Sequence, residues 1–222
     1  MNLPLSLAHG DLWLLHDGKD VVRTPGGQPL GSRDRALVTA AGLAWKLHRG
    51  DPADGWSSYA LLCSYLDFAA EEERMGMVES IVTALEDDPT YREMAMRMAI
   101  GHSDPATALE DPYPIEFLRR IGFCAAWSSE RVGRSTGVAL APLQGALRAH
   151  LADLPMRRLM SLIYACSHLS APLTFAAVID DSITPKQGAK VLEDFSFPAK
   201  HLRELKTFAR ALEDRQEVLA AL

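Results

Sequence analysis

The stretch Leu12-Trp13-Leu14-Leu15-His16-Asp17-Gly18-Lys19-Asp20-Val21-Val22-Arg23-Thr24-Pro25-Gly26-Gly27-Gln28-Pro29-Leu30 decides the fold class. It holds two short apolar runs, at 12–15 and at 21–22, separated by Asp17-Gly18. Asp-Gly between apolar runs is a strong signal of a two-residue hairpin, because such turns need positive φ. The stretch therefore predicts a small β-containing N-terminal part whose hairpin turns at Asp17-Gly18. Thr24-Pro25-Gly26-Gly27-Gln28-Pro29 then breaks the second strand into an irregular loop.

Downstream the apolar residues take up helical spacing. Ser32 is the expected N-cap of a helix running to about His48, with Ala36, Leu37, Ala40, Leu43, Ala44 and Leu47 at helical spacing. Gly50 and Pro52 stop it. Ser57 opens a second helical region, with stripes Leu61, Leu62, Tyr65, Leu66 and then Met77, Val78, Ile81, Val82, Leu85. The pattern is weaker over 89–114, helical over 114–127 and short and extended over 133–141. From Pro142 onward everything reads helical. Thr184-Pro185-Lys186-Gln187 matches a capping box with proline at the first helical position. A last amphipathic helix is expected over 199–222. The fold class is α+β, a β-containing part over 1–55 followed by a mostly α-helical body over 56–222.

Residues 159–179 carry no formal charge and are numerous enough to span a bilayer. They include His168, three serines and Pro172, so a buried pair of helices divided at Pro172 is expected rather than stable membrane insertion. Hydrophobic residues make up 48% of the 222 and charged residues 23%, a balance that excludes wholesale disorder. The net charge is −6, which argues against a general nucleic-acid binder, since neutralising a phosphate backbone needs a basic surface. The charge is uneven. Residues 1–118 hold 9 basic and 19 acidic side chains, net −10, and residues 119–222 hold 14 and 10, net +4. Glu71-Glu72-Glu73 and Glu86-Asp87-Asp88 are the densest acidic runs, read either as solvated helix ends or as a surface selecting a basic partner. Cys63, Cys124 and Cys166 are few, far apart and odd in number, which fits reduced thiols in a cytoplasmic compartment. Residues 1–10 carry no Lys or Arg and match neither a secretory nor a mitochondrial leader.

The sequence carries no dinucleotide or P-loop glycine pattern, no C-x-x-C and no H-E-x-x-H. Gly101-His102-Ser103-Asp104 is a poor nucleophile elbow, because Pro105 stands where the closing glycine is needed. Cys166 and His168 do not face each other on a helix, so they read as core residues rather than a metal site. Met75, Met77, Met94, Met96 and Met98 read as core filling or as an adaptable binding surface. No cofactor is expected.

The run 14–25 together with Gln28-Pro29-Leu30 resembles the opening of the assembly chaperones of the F-type ATP synthase, in the branch that holds the unassembled α subunit of the catalytic head. That pattern is an apolar strand, Asp-Gly-Arg/Lys, a second strand ending in Thr-Pro, a Pro-Leu, and a helix ending near a Trp, as 36–45 does here. Ala126-Trp127-Ser128-Ser129-Glu130-Arg131-Val132-Gly133, then Gly137-Val138 and Pro142, is similar to the family's second signature. The chain departs from the pattern near its end. Glu193-Asp194-Phe195 matches the family's acid before an aromatic, but Ser196 follows and no Trp-Gly pair appears.

The resemblance implies a non-catalytic chaperone for the α subunit of the F-type ATP synthase, in the bacterial cytosol or the mitochondrial matrix. By the same resemblance Glu193, Asp194 and Phe195 form the partner-binding site, on the helix opened by Thr184. Two other readings stay open. One is a small-molecule enzyme with a cleft between the β part and the helical body, and the other is an adaptor for a different partner.

Overall fold

A computed structural model of the chain describes residues 5–7, 12–48, 50–52, 55–100, 109–123 and 140–211. Strand β2 (Trp13–Asp17) is the axis of the small antiparallel sheet. It pairs with β1 (Leu5–Leu7) in the register Leu5 to Leu15, with β3 (Asp20–Val21) through Asp17 to Asp20, and with β4 (Gly31–Ser32) through Leu14 to Gly31. Because Asp17 and Asp20 are partners, the two loop residues are Gly18 and Lys19, one position later than expected. Gly18 has φ of 62° and Lys19 is not among the positive-φ residues. Glycine at the first central position alone is the II′ pattern, whose twist suits a hairpin as well as I′ does.

Thr24 and Gly26 attach the following loop to the helical body. The Thr24 hydroxyl donates to Asp67 Oδ1, and the Gly26 amide donates to Asp67 Oδ2 at 3.0 Å. A Cβ on Gly26 would lie 2.5 Å from that carboxylate, so the loop can approach only because residue 26 has no side chain. The first helix, α1 (Arg35–Leu47), is capped by Asp34 rather than Ser32. Asp34 Oδ1 accepts from the amides of Ala36 and Leu37, while Ser32 is taken into β4.

Helix α2 (Ser58–Phe68) starts at the Ser57 cap as expected. Then come α3 (Arg74–Thr83), α4 (Pro89–Ala99), α5 (Ile115–Arg120), α6 (Leu140–Ala152), α7 (Met156–His168), α8 (Pro172–Ile179), α9 (Pro185–Val191) and α10 (Ala199–Ala211). Pro172 divides α7 from α8 as the sequence predicts. α7 is the hub of the body, packing on α2, α3, α8 and α10. All eight residues of α8 are buried. Leu169, between the two, is only half-buried, because the chain turns extended there. No helix among the described residues is long and apolar enough to cross a membrane. The extended piece expected over 133–141 falls mostly outside the described residues, and its last two residues, Leu140 and Ala141, are already helical.

Asp88 joins two helices distant in sequence. It is fully buried, and its Oδ1 accepts from Thr90 N (2.8 Å) and Tyr91 N (3.1 Å), capping α4. Its Oδ2 accepts from Leu173 N (2.8 Å) in the first turn of α8. Burial pushes this carboxyl up to about 7, against the downward pull of its three amide donors. A second junction forms around Trp56. Its indole stacks on His201 (5.1 Å between centroids), meets Tyr164, His168 and Phe197 at steeper angles, and donates to Glu204 at 2.9 Å. It ties the start of α2 to the end of α7 and the start of α10. Burial lowers the pKa of both His168 and His201.

Candidate partner-binding surface

The capping box at Thr184 forms with both arms. The Thr184 hydroxyl accepts from Gln187 N at 3.2 Å, and Gln187 Oε1 accepts from Thr184 N at 2.9 Å. Gly188 lets α9 lie against α8 and α10, since a Cβ there would meet Val178 at 2.9 Å and Leu202 at 3.0 Å. The helix ends at Val191, sooner than the sequence suggests. Glu193, Asp194 and Phe195 form a separate 3₁₀ turn, closed by Ser196 in the left-handed region (φ 54°).

The turn is pinned on both sides. Leu192 before it is fully buried, and Phe197 after it packs on Phe175 (5.2 Å) and Trp56. Leu192 belongs to the core and Phe197 is half-buried against it, whereas Phe195 is not buried. It is 45% exposed, and Glu193 and Asp194 beside it are exposed too.

Asp194 lies within electrostatic reach of Tyr113. Burial raises the Tyr113 phenol, and the charges of Glu93 and Asp194 raise it further. Arg97 offsets part of this, bound to Glu93 at 2.5 Å and facing Glu110 at 3.8 Å. Glu93, Met96, Arg97 and Ile100 share one side of α4 and its cap by their three- and four-residue spacings. Met96 and Ile100 are exposed, at 54% and 74%. The surface at Tyr113 thus brings together the charges of Glu93, Arg97 and Asp194, on a side of α4 that also exposes Met96 and Ile100. The sequence named only the 193–195 part of it. Met96 was legible as half of a Met-rich choice between core and surface, and the structure divides that group, with Met77 and Met94 buried and Met75 and Met96 exposed. Tyr113 carried no local signal.

The acidic runs also divide. Glu71 pairs with Arg74 and Asp87 with Arg92 on the surface, while Asp88 is the buried cap. Cys166 is half-buried and His168 exposed at the edge of the Trp56 cluster. Among the described residues no three His, Cys, Asp or Glu side chains are grouped to hold a metal.

A hollow of about 450 Å³ does lie between the β part and the body, lined by Pro25, Gly26, Cys63, Asp67 and Phe68. Its chemistry is muted. Asp67 is engaged by Thr24 and Gly26, and burial pushes the Cys63 thiol up to about 12, so it stays protonated at neutral pH.

The chain is similar in structure to Atp12 from Paracoccus denitrificans. The TM-score is 0.49 and the identity 15%, over 100% of this chain and 96% of that one. A point mutant of the P. denitrificans protein gives 0.42 and 14%, over 100% and 95%. No family model matches the chain, and no curated protein matches it. The second signature, 126–133 with 137–138, and the weak elbow at 101–104 lie outside the described residues.

Proposed function

We propose that this chain is a non-catalytic assembly chaperone that holds the unassembled α subunit of the F-type ATP synthase head, in the bacterial cytosol or the mitochondrial matrix. The observation that carries the reading is Phe195, 45% exposed directly after the two exposed acids Glu193 and Asp194, on a turn that follows the fully buried Leu192 and precedes the half-buried Phe197. An exposed aromatic can serve as the apolar anchor of an interface, and carboxylates beside it give charge complementarity and speed encounter. The likeness of residues 14–30 to the family's opening supports the same reading.

The test is binding to purified α subunit, followed by interferometry, for the wild type, Phe195→Ala, and Glu193→Ala combined with Asp194→Ala. The aromatic substitution speeds release tenfold or more. The double acid substitution slows association and flattens its salt dependence, as rim charges do. Wild-type protein that does not bind the α subunit at any ionic strength overturns the reading.

A further inference from the structure

A second surface, independent of the identity of that partner, lies between α1 and α10. The exposed side of α1 carries Ala36, Ala40, Leu43 and Leu47 at spacings of four, three and four, a continuous apolar stripe about 16 Å long. Leu43 and Leu47 are 49% and 78% exposed. At its N-terminal end the stripe forms one wall of a groove of about 330 Å³, with Leu37 beneath and Thr207, Phe208 and Ala211 of α10 opposite.

Along the groove and its continuation the cations Lys200, Arg203, Lys206 and Arg210 outnumber the carboxylates Asp34, Asp181 and Glu204 by one. Asp34 caps α1, accepting from the Ala36 and Leu37 amides at 2.8 and 3.1 Å. Glu204 accepts from Trp56 at 2.9 Å and faces Lys200 at 3.8 Å. Arg203 on the rim makes no ion pair among the described residues, and its side chain's one hydrogen bond there is a long one (3.4 Å) to Ala199 O. Next along the groove, Lys206 and Arg210 share the single carboxylate of Asp181. Asp34 and Glu204 thus accept hydrogen bonds within the protein, Lys206 is largely covered at Asp181, and Lys200 and Arg203 are the cations left exposed at the mouth, on a chain whose net charge is −6.

We propose that this groove docks an amphipathic helix of about three turns from a partner, with an apolar face against the α1 stripe and acidic residues along its flanks. Leucines at helical spacing would seat beside Ala40 and Phe208, and glutamates would meet Arg203 and Lys200. This is the helix-in-groove mode, with charge complementarity selecting the sign of the occupant.

The experiment uses the full chain and a fluorescein-labelled peptide of about fourteen residues, with leucines at alternating spacings of three and four and glutamates elsewhere. A control peptide carries lysines in place of the glutamates. Anisotropy should show at least tenfold tighter binding of the acidic peptide, weakening with salt. Ala40→Glu should weaken it at least tenfold, and Arg203→Glu at least fivefold, with circular dichroism spectra unchanged. Because Ala40→Glu also adds a charge at a half-buried site, Leu47→Ser serves as a second apolar variant and should weaken binding at least threefold. Equal binding of both peptides, no binding of either, or indifference to all three substitutions overturns the proposal. A dimer in sedimentation that Ala40→Glu dissociates would overturn it in favour of a second copy of the chain. A tenfold gain in peptide affinity on removing residues 212–222 would overturn it in favour of the chain's own terminus.

Discussion

Replacing Asp88 by alanine removes one carboxylate and three hydrogen bonds, and the geometry sets the cost. Thr90 N and Tyr91 N lose the cap of α4, a loss of about 0.5–2 kcal/mol. Leu173 N loses its acceptor in the interior, where water does not replace it, at about 1–3 kcal/mol. The sum is about 1.5–5 kcal/mol, or a fall in Tm of about 3–20 °C for a domain of this size. Asp88→Asn separates the two helices. Both α4 amides use Oδ1, which an asparagine oxygen can replace, whereas Leu173 N uses Oδ2 and would face an amide donor. That variant should keep the α4 cap, lose the α8 contact, and fall between wild type and Asp88→Ala. The pH dependence has a definite sign. The folded carboxyl is raised to about 7 from an ordinary value of 3.8, so the native state holds a proton that the unfolded state has lost. The stability this group contributes is full below pH 4 and declines as pH rises through 7. Urea denaturation from pH 4 to 8, compared between wild type and Asp88→Asn, isolates it. A wild-type stability that rises relative to the variant over that range, or an Asp88→Ala protein melting within 2 °C of wild type, refutes the reasoning.

Gly18→Val places a β-branched residue at φ 62° and should cost about 1–2 kcal/mol, read as a lower urea midpoint, while Gly18→Asn should cost less because asparagine tolerates that region. Leu173→Ala, at a fully buried site in α8, should cost about 2–5 kcal/mol and speed amide exchange in α7 and α8 together; a loss below 1 kcal/mol would contradict the packing described.

What the sequence made legible is what short-range chemistry determines. The hairpin, the Ser57 cap and the Thr184 capping box each depend on residues within a few positions of one another, and each formed. Ser32 failed as a cap although its chemistry suits the role. Strand β4 needs residues 31 and 32 opposite Leu14 and Trp13, so the helix start moves to Asp34, and only the sheet reveals that competition. Asp88 looked like one member of a solvated acidic run. The amide that buries it belongs to Leu173, 85 residues away. Phe195 could have been core or surface: Leu192 is buried, Phe197 packs on Phe175 and Trp56, and the left-handed Ser196 turns the chain between them with Phe195 left 45% exposed. A long-range choice of this kind leaves no periodic trace.

The two proposed contact surfaces carry opposite charge, and their placement follows from the uneven sequence. The acidic stretch of the chain supplies Glu93 and Glu110 to the neighbourhood of Asp194 and Tyr113. The basic half supplies Lys200, Arg203, Lys206 and Arg210 to one side of α10. Fields from exposed groups fade within about 8 Å at physiological salt, so neither patch cancels the other across a molecule of this size. A partner bearing a basic contact site and an acidic helix would therefore be oriented by both before apolar contact begins. Uniformly charged partners would gain at one surface and lose at the other. Selectivity would then rest on the partner's charge pattern rather than its total charge, and the apolar anchors, Phe195 at one surface and Leu43 with Leu47 at the other, would set how long the complex lasts.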